Sequence, residues 1–320
     1  MKNIKWIDIL KGIGIIAVVI GHIWGGQLSR MMYVFHMPLF FFISGYLSKP
    51  TTDCKAFLIK KTKSLIIPYI VYLIPIYLVF YGLPELTFKG ITEYIALPII
   101  GGRFLMGSLG IFWFITCLYL TQQFMNYILS RFENKIVFYI MVFFLIGSYL
   151  NSLLFPNLWL PWNANVVLAS APIYYIGYRY KRTKLEMNSI LILIGSLLVF
   201  GFSYMYPNNV YDMKNAKYGY PLITLISSIV VILGLKIISE YFSQIKILEK
   251  PLSELGKASM VIMYLHQPIQ FIVNHFLSED RIVRIIIAII IPYIGYLLFK
   301  KFKYSDSLLL GNYSNFDIRT

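Results

Sequence analysis

The chain has 320 residues, of which 58% are apolar and 13% charged, with a mean hydropathy of +0.69; a soluble domain averages roughly 45–50% apolar. Its 29 Lys and Arg outnumber 14 Asp and Glu to leave a net charge of +15, yet these charges are sparse and lie between apolar runs. A soluble globular enzyme, a disordered tail and a nucleic-acid-binding module are excluded on these grounds, and the apolar excess must face lipid.

A bilayer core takes about 20 mostly apolar residues per helix. That ruler predicts about ten helices, over residues 6–24, 32–48, 65–83, 109–130, 136–155, 160–178, 188–206, 220–238, 258–277 and 283–299. The first follows Lys2 and Lys5 as a signal peptide would. Lys11 interrupts its apolar stretch, however, and no small-x-small cleavage site follows, so it reads as a retained span. The sixth holds Asn163 and Asn165, and the ninth His266 and Gln267. Cys54 falls in a basic loop and Cys117 inside a span, which supports neither a disulfide framework nor a metal site.

An even number of spans puts both termini on one side. With the amino terminus inside, 21 Lys and Arg lie on the inner side and 7 outside, with Lys11 embedded. The inner groups include Lys49, Lys55, Lys60, Lys61 and Lys63, then Arg179, Lys181, Arg182 and Lys184, and finally Lys300, Lys301 and Lys303. This distribution follows the positive-inside rule. The charge therefore encodes topology and attraction to anionic lipid, and no nucleic-acid partner is needed. The expected architecture is all-α: a polytopic membrane helix bundle with both termini cytoplasmic. Residues 1–320 read as one membrane-embedded domain without a separate soluble one. The longest outer connections are 84–108 and 207–219. Tyr206, Asn208, Asn209, Tyr211, Asp212, Asn215, Tyr218 and Tyr220 cluster around the second, a composition that suits an interfacial aromatic belt ahead of sugar recognition.

Ionisable residues within a span are costly and are candidates for function; the first span holds Asp8, Lys11 and His22. Eleven residues at 100° each make about three turns, so Lys11 and His22 share a face, roughly 16 Å apart along the axis, with Asp8 about 60° away. This layout suits an elongated anion entering from the cytoplasm, its phosphates at Lys11 and its reactive end near His22. Histidine is suited to general-base work there. The structural alternative makes Asp8 and Lys11 an ion pair and His22 a packing residue. In the second span His36 should lie at a depth similar to His22. Pro38 should kink the helix and free backbone groups to line a cavity. No metal is expected at the imidazole pair, which has no cysteine or carboxylate evident nearby.

These residues resemble the membrane acyltransferase family 3, and within it the fucose 4-O-acetylase-like and polysaccharide O-acetyltransferase members. The resemblance covers nearly the whole chain. It rests on Asp8-Ile9-Leu10-Lys11-Gly12 followed by His22, and on the run from Phe35-His36-Met37-Pro38 to Ser44-Gly45. Weaker similarities are Phe112-Trp113-Phe114, Leu160-Pro161-Trp162 and Tyr264-Leu265-His266-Gln267-Pro268. Two positions depart from the family pattern. The basic-x-x-basic motif expected before Ile67-Pro68-Tyr69 aligns Lys61 with Ser64, or Lys60 with Lys63 in another register. Asn165 stands where an acid is expected.

The resemblance implies an enzyme that moves an acyl group, usually acetyl, from acyl-CoA to a hydroxyl of an envelope glycan or lipid-linked sugar at the plasma membrane. Acetyl-CoA would be a donor substrate, with no bound cofactor. Asp8, Lys11, Lys60, Lys61 and Lys63 are the candidates for holding acyl-CoA. His22 is the candidate base or transient acyl carrier, assisted by His36, and Trp113, Trp162 and Asn165 are candidates on the acceptor side. His266 reads as packing or lining, and His275 as interfacial. Gly12-Ile13-Gly14-Ile15-Ile16-Ala17 imitates a dinucleotide fingerprint but follows no strand, and Ser44 lacks a nucleophile elbow. The competing class is a multi-pass transporter or flippase, whose embedded Asp, Lys and His would line a pathway.

Overall fold

The computed structural model describes residues 5–83, 85–183 and 187–313; Lys2 and Lys184 lie outside the described residues. The first apolar run forms α1 (Lys5–Ile23), which Gly25 and Gly26 end with φ values of 76° and 59°. A short α2 (Gly26–Tyr33) precedes α3 (His36–Tyr46). The second predicted span is thus broken at Val34 and Phe35, ahead of His36. Pro38 sits in the first turn of α3, where a missing N–H leaves no helical carbonyl unserved. The expected kink at Pro38 is therefore replaced by a break upstream of it.

Asp53 caps α4 (Cys54–Lys61) by accepting the Ala56 N–H at 2.9 Å. A π-helical turn (Thr62–Ile66) joins α4 to α5 (Ile67–Tyr81), so that Cys54–Tyr81 is helical throughout. Within the connection expected from 84 to 108 lies α6 (Phe88–Ile100), started by a Thr87 cap. Then follow α7 (Trp113–Arg131), α8 (Asn134–Leu154), α9 (Val167–Thr183), α10 (Ser189–Met205) and α11 (Ile223–Phe242). The chain closes with α12 (Lys246–Lys257), α13 (Ser259–Phe276), α14 (Arg281–Phe299) and α15 (Lys303–Leu310). Among the described residues no strand forms, and one isolated bridge pairs Asp212 with Lys217.

Among the described residues five helical stretches are long and apolar enough to cross a membrane: Lys5–Ile23, Cys54–Tyr81, Asn134–Leu154, Ile223–Phe242 and Arg281–Phe299. The other five predicted spans are helical but shorter, broken or more polar. The side chains are sorted as lipid requires. Phe143, Leu153, Leu197 and Ile290 are exposed on the outer helices, whereas Leu10, Ile15, Leu39 and Phe41 are fully buried.

Two helix crossings set the interior. At one, α1 and α12 meet backbone to backbone: a Cβ on Gly12 would overlap the Leu252 carbonyl oxygen, and one on Gly256 the Asp8 carbonyl oxygen. At the other, α3 and α9 meet through Gly45 against Tyr174 and Gly177 against Phe42. Small residues allow such approach, and a methyl group there has nowhere to go. Gly45→Ala and Gly256→Ala are each expected to destabilise the detergent-solubilised protein by about 1–3 kcal/mol, the ordinary cost of overpacking, read as a lowered thermal midpoint.

Candidate active site

The face of α1 predicted to carry Asp8, Lys11 and His22 opens onto two cavities. The larger, about 710 Å3, is lined by Asp8 and Lys11 of α1, Phe40 and Ser44 of α3, Phe114 and Gln122 of α7, and Met263 of α13. Lys257 and Lys300 join Lys11 in its wall. Lys11 reaches Asp8 at 3.4 Å in a loose i, i+3 pair, and Lys257 pairs with Glu254 at 2.7 Å. The Gln122 amide donates to the Ser44 hydroxyl at 2.7 Å. The wall therefore combines three lysines and one carboxylate with apolar side chains and the Gln122–Ser44 pair.

Lys60, Lys61 and Lys63 do not line this cavity, although Leu65 of the same helical stretch does. Lys61 lies over the Phe57 ring at 5.4 Å and Lys63 over the Tyr313 ring at 5.6 Å. The second and third cations of the mouth instead come from α12 and the end of α14, more than 240 residues from Lys11 in sequence.

The smaller cavity, about 50 Å3, is lined by His22, Tyr33, His36, Trp113, Asp212, Lys214 and Asn215 among others. The walls change from one cavity to the other between Met37 and Phe40 on α3 and between Trp113 and Phe114 on α7. About one helical turn of side chains separates them, and at that level the rings of Phe40 and Phe114 are 5.9 Å apart.

His22 stands among three rings. Those of His266, Tyr33 and His36 lie 5.4, 5.9 and 6.2 Å from it. His36 Nδ1 contacts the Met32 carbonyl oxygen and His266 Nδ1 the Ile262 carbonyl oxygen, each at 2.8 Å. A carbonyl oxygen only accepts, so in both rings Nδ1–H donates and Nε2 is left as an acceptor. The Tyr33 hydroxyl lies 3.4 Å from His22 Nδ1, while Nε2 of His22 and of His266 are buried without a hydrogen-bond partner in the chain. Among the described residues no three or more His, Cys, Asp or Glu side chains converge as metal ligands would.

The connection from Tyr206 to Tyr220 roofs this cavity. Tyr206 is exposed, as an interfacial aromatic belt requires, but Tyr211, Tyr218 and Asn209 are fully buried, which corrects that expectation for those two tyrosines. Their rings pack inward, and Asp212, Lys214 and Asn215 face the histidines. Around the cavity the roof is held down by Tyr211 N–H to the Tyr33 carbonyl at 3.3 Å, Lys214 Nζ to the Leu105 carbonyl at 2.8 Å, and Asn163 Nδ2 to the Lys214 carbonyl at 3.1 Å, and further along Asn209 donates to Ser203 at 2.8 Å and accepts from Thr224 at 2.7 Å. Burial brings the Lys214 ammonium down to about 8, with the Arg103 guanidinium acting the same way and Asp212 opposing.

Trp113 lines the histidine cavity, but Trp162 and Asn165 do not. The Trp162 indole donates to the Ile99 carbonyl at 2.9 Å, and Asn165 donates to Asn151 at 3.0 Å. Trp162 and Asn163 both adopt positive φ, 60° and 55°. Two successive non-glycine residues in this region are uncommon, and here the turn aims Asn163 at the roof. Sequence reasoning gave no site role to Asn163, Tyr33, Lys214 or Lys257; Tyr33, three residues before His36, and Asn163, directly after Leu160-Pro161-Trp162, sat beside motifs.

The acyltransferase 3 family model, whose description is an acyltransferase domain, matches residues 4–301. The chain belongs to this family. No curated protein and no solved structure matches it. Family membership, together with the apolar helices, supports a membrane protein with acyltransferase activity.

Asn163→Ala removes the bond to the Lys214 carbonyl, worth about 1 kcal/mol net. Faster limited proteolysis within 207–219 is expected, with little change in global melting.

Proposed function

We propose that this chain is a plasma-membrane O-acyltransferase with its basic loops cytoplasmic, moving an acyl group, acetyl by expectation, from acyl-CoA to a hydroxyl of an envelope glycan or lipid-linked sugar. The observation that carries the proposal is the α1 face. It places Lys11 in the wall of a cavity of about 710 Å3 and His22, with an unpartnered Nε2, in the cavity beyond it. Lys11, Lys257 and Lys300 hold the CoA phosphates, and the thioester reaches past Phe40 and Phe114 toward His22.

For His22 to accept a proton at Nε2, its Nδ1–H donates to the Tyr33 oxygen, which fixes the tautomer. The acceptor hydroxyl gives its proton to Nε2 as its oxygen attacks the thioester carbonyl. The C–S bond then breaks and the CoA thiolate takes the proton back. An acyl-His22 intermediate would use the same nitrogen. Lys214 already spends one N–H on Leu105 and, while protonated, has two more, enough to stabilise the oxyanion of the tetrahedral intermediate. A volume of about 50 Å3 holds a few waters and no sugar ring, so the acceptor enters by displacing the 207–219 roof.

The test uses membranes carrying wild type or His22→Ala at matched abundance, supplied with acetyl-labelled acetyl-CoA, with label followed into glycan and lipid-linked sugar. Loss of more than about a hundredfold, the usual worth of a general base, is expected for His22→Ala. Equal transfer by both proteins refutes the role of His22. Movement of substrate with no covalent change points to a transporter. Lys11→Met should raise KM for acyl-CoA more than it lowers kcat.

The pH dependence has a definite sign. Lys214, with its pKa lowered to about 8, is charged below that value and neutral above it, so turnover should fall as pH rises through about 8. Lys214→Arg should flatten this limb, and Lys214→Met should cost about a hundredfold at neutral pH.

A further inference from the structure

A third cavity, about 670 Å3, shares no lining residue with the two above. It runs between α8 and α11, along α8 from Asn134 to Leu145 and along α11 from Leu233 to Leu225, with Pro172 and Ile176 of α9 in its wall. Where α8 continues beyond it, the Tyr149 hydroxyl accepts the Leu222 N–H at 2.9 Å and closes that end. Eleven residues of α8 give a depth of about 16 Å, close to half the roughly 30 Å thickness of a bilayer's hydrocarbon core.

The two ends differ chemically. At the open end, beside the start of α8 and the finish of α9, lie Lys135, Arg179, Asn134 and Thr183, and the Tyr175 hydroxyl donates to the Asn134 carbonyl at 3.3 Å. Neither Lys135 nor Arg179 forms an ion pair among the described residues. Inward from that rim the wall is almost wholly apolar. A second copy of this chain would present helices of full membrane thickness, which a groove closed halfway cannot accept. A free anion would have no use for the apolar trough. One leaflet of depth ending at two uncompensated cations matches a lipid with an anionic headgroup.

We propose that the α8/α11 groove binds an anionic glycerophospholipid from the leaflet bordering the basic loops, with its phosphate held by Lys135 and Arg179 and an acyl chain lying along α8 toward Leu145. This site does not depend on the acyl-transfer reading, since its residues take no part in it.

The experiment is native mass spectrometry of the full chain in detergent, titrated with phosphatidylglycerol or with phosphatidylcholine of the same acyl chains. Wild type is expected to retain phosphatidylglycerol preferentially. The double substitution Lys135→Gln with Arg179→Gln should weaken phosphatidylglycerol retention about thirtyfold, the loss of two cations beside an anionic headgroup, and weaken phosphatidylcholine, whose choline offsets its phosphate, much less. Leu145→Trp, which fills the closed end, should weaken both lipids. Monodisperse elution and an unchanged melting midpoint verify folding. Should the double variant fail that check, each single substitution carries an expected loss of about fivefold. Equal retention of the two lipids by wild type overturns the proposal, as does undiminished phosphatidylglycerol retention by folded variants. A two-chain mass that Leu145→Trp abolishes would assign the groove to a second copy instead, and also overturns it.

Discussion

The backbone contact between α1 and α12 at Gly12 and Gly256 governs where everything else in the site can be. α1 carries Lys11 and His22 at fixed separation, so whatever sets its tilt and depth sets the mouth and the inner end of the candidate site together. The crossing also brings Lys257 to within reach of the cavity that Lys11 lines, because the helix that supplies Gly256 supplies Lys257 as its next residue. A larger residue at either glycine would push α12 outward and take a cation of the mouth with it. The glycine after Lys11 thus has a packing reason distinct from any ligand contact.

A second constraint comes from polar groups inside an apolar bundle. Unmet hydrogen-bonding groups are expensive there, and several of those near His22 are met within the chain. His36 bonds the Met32 carbonyl at the end of α2 and His266 bonds the Ile262 carbonyl one turn back on α13, which orients both rings and leaves Nε2 of each as the acceptor. The roof is tied down over the cavity by Tyr33, Leu105 and Asn163, which belong to three separate parts of the chain, and beside it by Ser203 and Thr224 through Asn209. Around this cavity His22 Nε2, His266 Nε2, Asn163 Oδ1 and the Tyr211 and Tyr218 hydroxyls are left without partners among the described residues; of these, His22 and Tyr211 line the cavity shared with Lys214, and the imidazole is the better base of the two.

The helical class, the apolar runs and the shared face of Asp8, Lys11 and His22 were legible because they depend on composition and on the 100° step of a helix. The break before His36 was not, since Pro38 suggests a kink at itself, whereas the chain turns at Gly25–Gly26 and again at Val34–Phe35. α6 was hidden inside a presumed connection because its Pro98 and short length resemble a loop. The aromatic and amide cluster at 206–220 was visible as a composition. Whether Tyr211 and Tyr218 face lipid or the interior depends on tertiary contacts with Tyr33, Tyr149 and Asn163, which lie far away in sequence. For the same reason Lys60, Lys61 and Lys63 stood out as a local run of charge, while of the lysines that reach the cavity wall Lys300 was visible as part of a terminal basic run that pointed to topology alone and Lys257 carried no local mark.

By itself the sequence determined that this protein is helical and membrane-embedded, that it belongs with the acyltransferases of its family, and that a lysine and a histidine share one face of its first helix. All of these follow from composition, periodicity and motif order along a single element. Only the tertiary structure decided which cations join Lys11, that His266 and Tyr33 stand beside His22, and that a polar loop seals the cavity above them. Each of those depends on where separate helices cross, and a crossing is fixed by small residues and interlocking side chains on two elements at once, which no local pattern in one of them can specify.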